Sequence, residues 1–316
     1  MKTPRPPLPE LPVRCLSRRK AQNKATPGLT NIVGDLADPR TLQGIADGCT
    51  TVFHCAGFAH ARHDSDDAGP SPHERVTVEG TAALLEQAMG AGVQKLVFVS
   101  SAKATGAHPT RCLDEDAVDV DIDHYGETRR AAERLVLDAA GASGMHVCCL
   151  RPVLVYGPGV KGNLQRMLAA VDRGRFPSLE DTGNVRSMVH VHDLVRVIRQ
   201  VADDPRAAGR VFHVTDGHAY STRAIHELMA KALGRRLPGW AIPAAALRQL
   251  GRFGDGLSHL SSVFTALDSA TVSRLLDSAC YSNARLRSEL GFEPAMDLAS
   301  AIDEMVAAYR LAQQQS

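Results

Sequence analysis

The sequence predicts an α/β fold in which a doubly wound parallel sheet is followed by a smaller lobe. Three observations predict it. Short apolar runs alternate with helix-patterned segments from Val13 to about Pro158. Those runs are apolar throughout, as strands covered on both faces are, instead of alternating with polar residues. Beyond Pro158 the alternation loosens into amphipathic helices with few strands between them.

The elements follow in order. "VRCLS" reads as a strand from Val13, and "LTNIVGDL" as another over Thr30 to Leu36. "DPRTLQGIADG" reads as a helix, with Asp38 as N-cap and Gly48 as stop. "TVFHCAG" is a buried strand ending at Gly57, "GTAALLEQAMGAG" a helix, and "KLVFVSS" the next strand, from Lys95. The helix after Tyr125 carries Ala132, Leu135, Val136 and Ala139 as a core-facing stripe. "MHVCCLRPVLVYG" reads as one further buried strand.

In the second part, helices are expected at Leu164 to Asp172, Asp193 to Val201 and Ser221 to Leu233, with the strand "RVFHVTDG" between the last two. "DLASAIDEMVAAYRL" is a C-terminal helix with Leu298, Ile302, Met305 and Tyr309 on one face. The expected division is a proline-rich start at 1–12, a sheet domain at 13–160 and a substrate lobe at 161–316. A strand near 185–192 and a helix near 193–201 are free to return to the main domain. Ligands of such sheets bind beyond the carboxyl ends of the strands. Here those ends are "HCAG", "VSSAKATG" and "RPVLVYGPG".

Composition excludes several functions. A net charge of +1 over 316 residues, with 4% aromatics, lacks the basic face and stacking platform of a nucleic-acid binder. No run reaches the ~20 apolar residues of a membrane span. The start has no apolar signal-peptide core, so a cytoplasmic protein is expected. The seven cysteines, Cys15, Cys49, Cys55, Cys112, Cys148, Cys149 and Cys280, are odd in number and form no C-x-x-C pair. They are expected as free thiols in a reducing cytosol. His190 and His192 alternate as on a strand, without a third ligand, and no metal is expected.

The chemistry concentrates in "DHYGETRRAAE". Tyr125 and Arg129, at i and i+4, share a helix face. A phenol of reference pKa ~10 is a poor acid-base catalyst at neutral pH, and a fixed cation beside it favours the phenolate. Ser100 and Ser101 end the neighbouring strand, where a hydroxyl can bond the same substrate oxygen. Taken alone, Tyr125 reads better as a rim tyrosine, and the serines as strand-end caps.

At these residues the sequence resembles the extended short-chain dehydrogenases/reductases, in their NAD-dependent epimerase/dehydratase branch. "VGDLADP", "VFHCAG", "LVFVSSAKATG", "YGETRRAAE", "LRPVLVYGPG", "VRSMVHVHDLVRVI" and the closing "NARLRSELGFEPAMDLASAIDEMVAAYR" carry the resemblance, in the family's order and spacing, from about Val13 to Arg310. It implies a Rossmann-type sheet and hydride transfer at a ring carbon, C4, of a nucleotide-diphosphate sugar, by an epimerase or a reductase. It implies Ser101 as substrate hydrogen-bond donor, Tyr125 as acid-base group, and Arg129 in place of the family's lysine. Arg18, Asp35, Leu36, Cys55, Ala56, Gly57, Tyr125, Arg129, Pro152 and Val153 would line the cofactor. Lys103, Asn163 and Arg186 would meet the substrate, and a homodimer is the family's common state. Without the family, Arg186 is a surface ion-pairing residue and Asp35 a turn residue before Pro39.

Two departures shape the expectation. Arginine is not a point-charge ammonium, so Arg129 alters the helper's geometry. No glycine precedes Gly28, so the family's first strand and its glycine-rich pyrophosphate turn have no counterpart before "VRCLS". As written, the chain is expected to hold NAD or NADP weakly or not at all. An upstream coding stretch would supply the strand and turn, or the chain is a degenerate relative, a binding protein or fragment without a dinucleotide; an enzyme with an unusual cofactor grip is a third reading. The basic "LSRRK" after the first strand leans towards NADP over NAD, although such a run is also an ordinary solvated loop.

Overall fold

The structure, a computed structural model, describes residues 12–19, 28–58, 71–118, 120–237, 239–257 and 268–314. Residues 1–11 of the proline-rich start and Lys20 of the basic run lie outside them.

The first strand, β1 (Val13–Ser17), pairs in parallel with β2 (Leu29–Val33). A second parallel sheet has the order β3-β4-β5-β8. It is built from β3 (Thr51–His54), β4 (Lys95–Val99), β5 (His146–Pro152) and β8 (Arg210–Val214). Its crossovers are helical: α1 (Gly80–Gly90), entered through a π-helical turn at Glu74–Glu79, and α2 (His124–Ser143). Val97, Cys148, Leu150 and Phe212 are fully buried in the sheet, as β-branched and apolar residues on a two-faced sheet must be.

The two sheets meet through side chains. Leu16 of β1 and Val52 of β3 pack into one cluster with Leu36, Leu42 and Leu84. Arg14 donates to the carbonyls of Ile45 and Asp47, at 3.0 and 2.9 Å. Among the described residues no backbone pairing joins β1 to β3. Val13 and Phe53 are therefore about half exposed, at 55% and 47%, where the sequence reading has β3 buried. In parallel sheets of this kind ligands bind beyond the carboxyl ends of the strands.

After β5 the chain leaves this sheet. "MHVCCLRPVLVYG", read as one strand, breaks at Val153 into β5 and β6 (Leu154–Tyr156), and β6 lies in a third sheet. The reason is Pro152, whose missing N–H ends a ladder. α3 (Gly162–Asp172) follows, then β7 (Arg186–His190), parallel to β6. α4 (Val191–Asp203) packs on the main sheet through Leu194, Val197 and Val201. His190 and His192 do not alternate on a strand. His190 caps α4 and meets Glu304 at 2.7 Å, and His192 lies inside the helix.

β8 is followed by β9 (Ala219–Tyr220), antiparallel to β7, and by α5 (Thr222–Leu233), capped by Ser221. α6 (Ala244–Leu257), α7 (Ser269–Leu276), α8 (Ala284–Leu290) and α9 (Leu298–Gln314) complete the chain. Leu298, Ile302 and Met305 of α9 pack with α3 and α5, and Tyr309 adds its ring at the edge. The helix expected over 38–48 is only a 3-10 turn, Pro39–Leu42, capped by Asp38. Gly44 and Gly48, both at positive φ, stop it from propagating.

Cys112 and Cys280 form a disulfide across 168 residues, which corrects the expectation of free thiols at these two positions. Nothing in the local sequence pairs cysteines so far apart. The backbone does: Leu113 N–H donates to the Cys280 carbonyl at 2.9 Å and Ser282 N–H to the Leu113 carbonyl at 2.8 Å. The bond ties the segment before α2 to the segment behind Arg186. Closing so long a loop removes unfolded-state entropy, and Cys112→Ser with Cys280→Ser should cost about 2–5 kcal/mol. Thermal denaturation with and without a dithiol reductant checks this. Equal midpoints for the oxidised and reduced protein would refute it.

Candidate active site

Asp123 starts α2. Its carboxylate accepts from Gly126 N–H at 2.9 Å and pairs with Lys103 Nζ at 2.8 Å. Burial works to raise this carboxyl, but the Lys103 and Gly126 hydrogen bonds outweigh it and hold the group below the usual carboxylate range. Lys103 belongs to the 3-10 turn Ala102–Ala104, which Ser101 caps by accepting from Lys103 N–H at 3.3 Å. Arg130 donates to the carbonyls of Ala104 and Thr105, at 2.7 and 2.9 Å. Three ties thus dock the first turns of α2 on the turn that carries Ser101, and Tyr125 is brought to the same place.

Arg129 lies where the i+4 spacing puts it. Its guanidinium carbon is 5.3 Å from the centre of the Tyr125 ring and 6.0 Å from that of Phe98, inside cation–π range. The side chain is buried at 5% exposure. It reaches the Val99 carbonyl at the end of β4, at 3.4 Å, and among the described residues Nε has no partner. A Cβ on Gly57 would come within 2.2 Å of its terminal nitrogen, so the guanidinium lies flat on the backbone that ends β3. Burial, with the Arg129 charge second, pushes the His54 imidazole down to about 3. His54 is therefore neutral and hydrogen-bonded to Thr81 at 2.9 Å.

The other predicted residues divide. Cys55, Ala56 and Gly57 follow β3, and Pro152 and Val153 end β5, so both groups lie at the carboxyl edge with Ser101, Tyr125 and Arg129. Asp35 accepts from Ala37 N–H at 2.9 Å in a turn, and Leu36 is buried in the cluster with Leu42 and Leu84. Arg18 is exposed after β1. Asn163 is exposed on α3 and bonded to Arg166. Arg186 donates to the carbonyls of Arg274 and, at 2.9 Å, of Asp277, capping the C-terminus of α7; burial works against its charge, and Asp277 works for it.

Sequence reasoning missed two contributors. His73 packs edge-on to Tyr125, with ring centres 5.8 Å apart, and no spacing rule links it to the helix. Gly126 sits so close to Lys103 that a Cβ would meet the Lys103 carbonyl oxygen at 2.2 Å; a glycine directly after the tyrosine was the available signal.

These groups fit the nicotinamide end of a dinucleotide. A buried guanidinium whose Nε has no partner among the described residues, beside a tyrosine at the carboxyl edge of the sheet, suits the hydroxyls of a ribose. The expectation that no pyrophosphate turn precedes β1 falls on residues 1–11, which lie outside the described residues.

The sequence pattern described as the NAD dependent epimerase/dehydratase family matches residues 9–215. UDP-glucose 4-epimerase of Vibrio cholerae is 35% identical over 231 residues, 71% of this chain and 69% of that protein. The 3 beta-hydroxysteroid dehydrogenase/Delta 5-->4-isomerase of Mycobacterium tuberculosis is 28% identical over 94% of this chain and 83% of its own. MoeE5, solved in complex with UDP-glucuronic acid and NAD, superposes with a TM-score of 0.71 at 25% identity, over 95% of this chain and 91% of that one.

Proposed function

The chain belongs to the NAD dependent epimerase/dehydratase family, and from that premise we propose that it transfers hydride between NAD and a ring carbon, C4, of a UDP-hexose. The observation that carries this reading is the Tyr125–Arg129 face, docked on the Ser101 turn at the carboxyl ends of β3 and β4. NAD supplies the hydride acceptor and donor when bound. Arg129 and Tyr125 would hold its ribose, Pro152 and Val153 would flank the nicotinamide, and Asp35 would face the adenine.

On this reading Tyr125 takes the proton of the reacting sugar hydroxyl, or returns it to the carbonyl. Ser101 donates a hydrogen bond to the same oxygen. The Arg129 guanidinium over the ring face holds the Tyr125 ring in place for that transfer. Lys103, Asn163 and Arg186 are the substrate-side candidates; two carbonyls already engage one nitrogen of Arg186. NAD is preferred over NADP because MoeE5 carries NAD, and the exposed Arg18 by itself is weak support for NADP. A soluble cytoplasmic homodimer is part of the proposal.

Isothermal titration of the purified chain tests it, with NAD, NADP, UDP-glucose and a 3β-hydroxysteroid as separate ligands. UDP-glucose binding at micromolar strength is expected, with NAD binding more weakly than that. Steroid binding without UDP-glucose binding would move the substrate assignment to the M. tuberculosis relative's class. Failure of both dinucleotides would favour a binding protein that has lost the cofactor.

A further inference from the structure

Four buried side-chain atoms have no hydrogen-bond partner among the described residues: His73 Nδ1, Ser100 Oγ, Arg129 Nε and His213 Nδ1. Two of them, Arg129 and His73, lie against Tyr125. Ser100 ends β4, Arg129 lies over the Tyr125 ring, and His73 packs against that ring's edge. Such atoms are few in folded proteins, and each calls for a reason. Arg129 already has a place in the proposed reaction, but His73 has none.

His73 sits in a box of rings. Its imidazole is edge-on to Phe58 at 5.0 Å, to His124 at 5.9 Å and to Tyr125 at 5.8 Å, with 8% of the residue exposed. A phenyl ring would fill the same box and bury no unpaired nitrogen, which folding alone would favour. Retaining a costly polar atom beside a reactive residue is the mark of a group kept for function.

We propose that His73 is a substrate-recognising residue whose Nδ1 exchanges a hydrogen bond with a hydroxyl of the sugar held against Tyr125. This rests on the nucleotide-sugar reading above. A hydroxyl both donates and accepts, so it satisfies Nδ1 in whichever tautomer the ring adopts. A polyol offers several such groups next to its reacting carbon. A half-turn of the ring about Cβ–Cγ exchanges Nδ1 with Cδ2, so the atom can turn to a ligand without leaving the box.

Two substitutions separate hydrogen bonding from packing. His73→Phe keeps the ring and deletes Nδ1. His73→Asn loses the ring and keeps an amide close to the Nδ1 position. Each is titrated with UDP-glucose and with UDP alone, and its thermal midpoint is measured. His73→Phe should melt higher than wild type, bind UDP unchanged and bind UDP-glucose about fivefold to tenfold more weakly, the worth of one hydrogen bond. His73→Asn should restore UDP-glucose affinity to within about threefold. His73→Leu, which keeps the box apolar, should repeat the loss if the phenyl variant fails to fold.

Unchanged UDP-glucose binding in the phenyl or leucine variant would make His73 a packing residue and overturn the inference. Equal loss for UDP and UDP-glucose would do the same, since the sugar would not be what His73 reads. If wild-type protein binds neither ligand, the nucleotide-sugar reading fails first and this inference falls with it.

Discussion

Replacing Tyr125 by phenylalanine should lower turnover by ~10²–10⁴-fold, the range for loss of a general acid-base group, while leaving substrate binding and folding nearly intact. The ring stays, so the edge contact with His73 and the stack under Arg129 survive. Only the oxygen that carries the proton is removed. Arg129→Lys is the companion. Arginine reaches the Val99 carbonyl and lies on Gly57; a lysine ends in a compact ammonium, the form used elsewhere in the family. Turnover should rise or hold, with a shift in the alkaline limb of the rate–pH profile. A lysine variant with turnover severely reduced, beside a phenylalanine variant at wild-type rate, would remove this helix face from the chemistry.

How much of this was legible before the structure depends on the range of each signal. The Tyr125–Arg129 pairing needed only helical spacing, and the geometry bears it out at 5.3 Å. The strands at Val13, Thr51 and Lys95 were readable as short apolar runs, and the helices carrying Ala132 and Leu298 from the helical periodicity that a buried face imposes. The Cys112–Cys280 bond was not readable, because the pairing is set by a backbone bridge between segments remote in sequence. The role of Arg186 as a cap on α7 was hidden for the same reason. The turn at Pro39–Leu42 misled because Asp38 and Gly48 are good helix punctuation, while Gly44 between them is not a helix residue. His73 lies outside every motif, and only the folded chain brings its ring to Tyr125.

Gly126→Ala should be the most damaging single methyl group in the site. Alanine is the better helix former by about 1 kcal/mol, so propensity alone predicts a gain. Geometry predicts the reverse. The added Cβ would stand 2.2 Å from the Lys103 carbonyl oxygen and 2.9 Å from Ile122 Cγ1. Lys103 cannot retreat by a rotamer change, because the clash is with its backbone, whose carbonyl also accepts from Gly106 N–H at 3.0 Å. The start of α2 must therefore back away from the Ser101 turn, against the Asp123–Lys103 pair and both Arg130 hydrogen bonds. Overpacking of this kind costs about 1–3 kcal/mol of stability. Displacing Tyr125 from Ser101 by about an ångström should cost ~10²-fold in turnover. Gly141 supplies the control within the same helix, since a Cβ there meets nothing within 4 Å. Gly141→Ala should stabilise the protein by up to about 1 kcal/mol and leave turnover alone. Opposite signs for the two substitutions, in melting and in rate, are the expected result. A Gly126→Ala protein that turns over like wild type would show that Tyr125 and Ser101 do not depend on this close approach, and that the reacting oxygen is held elsewhere.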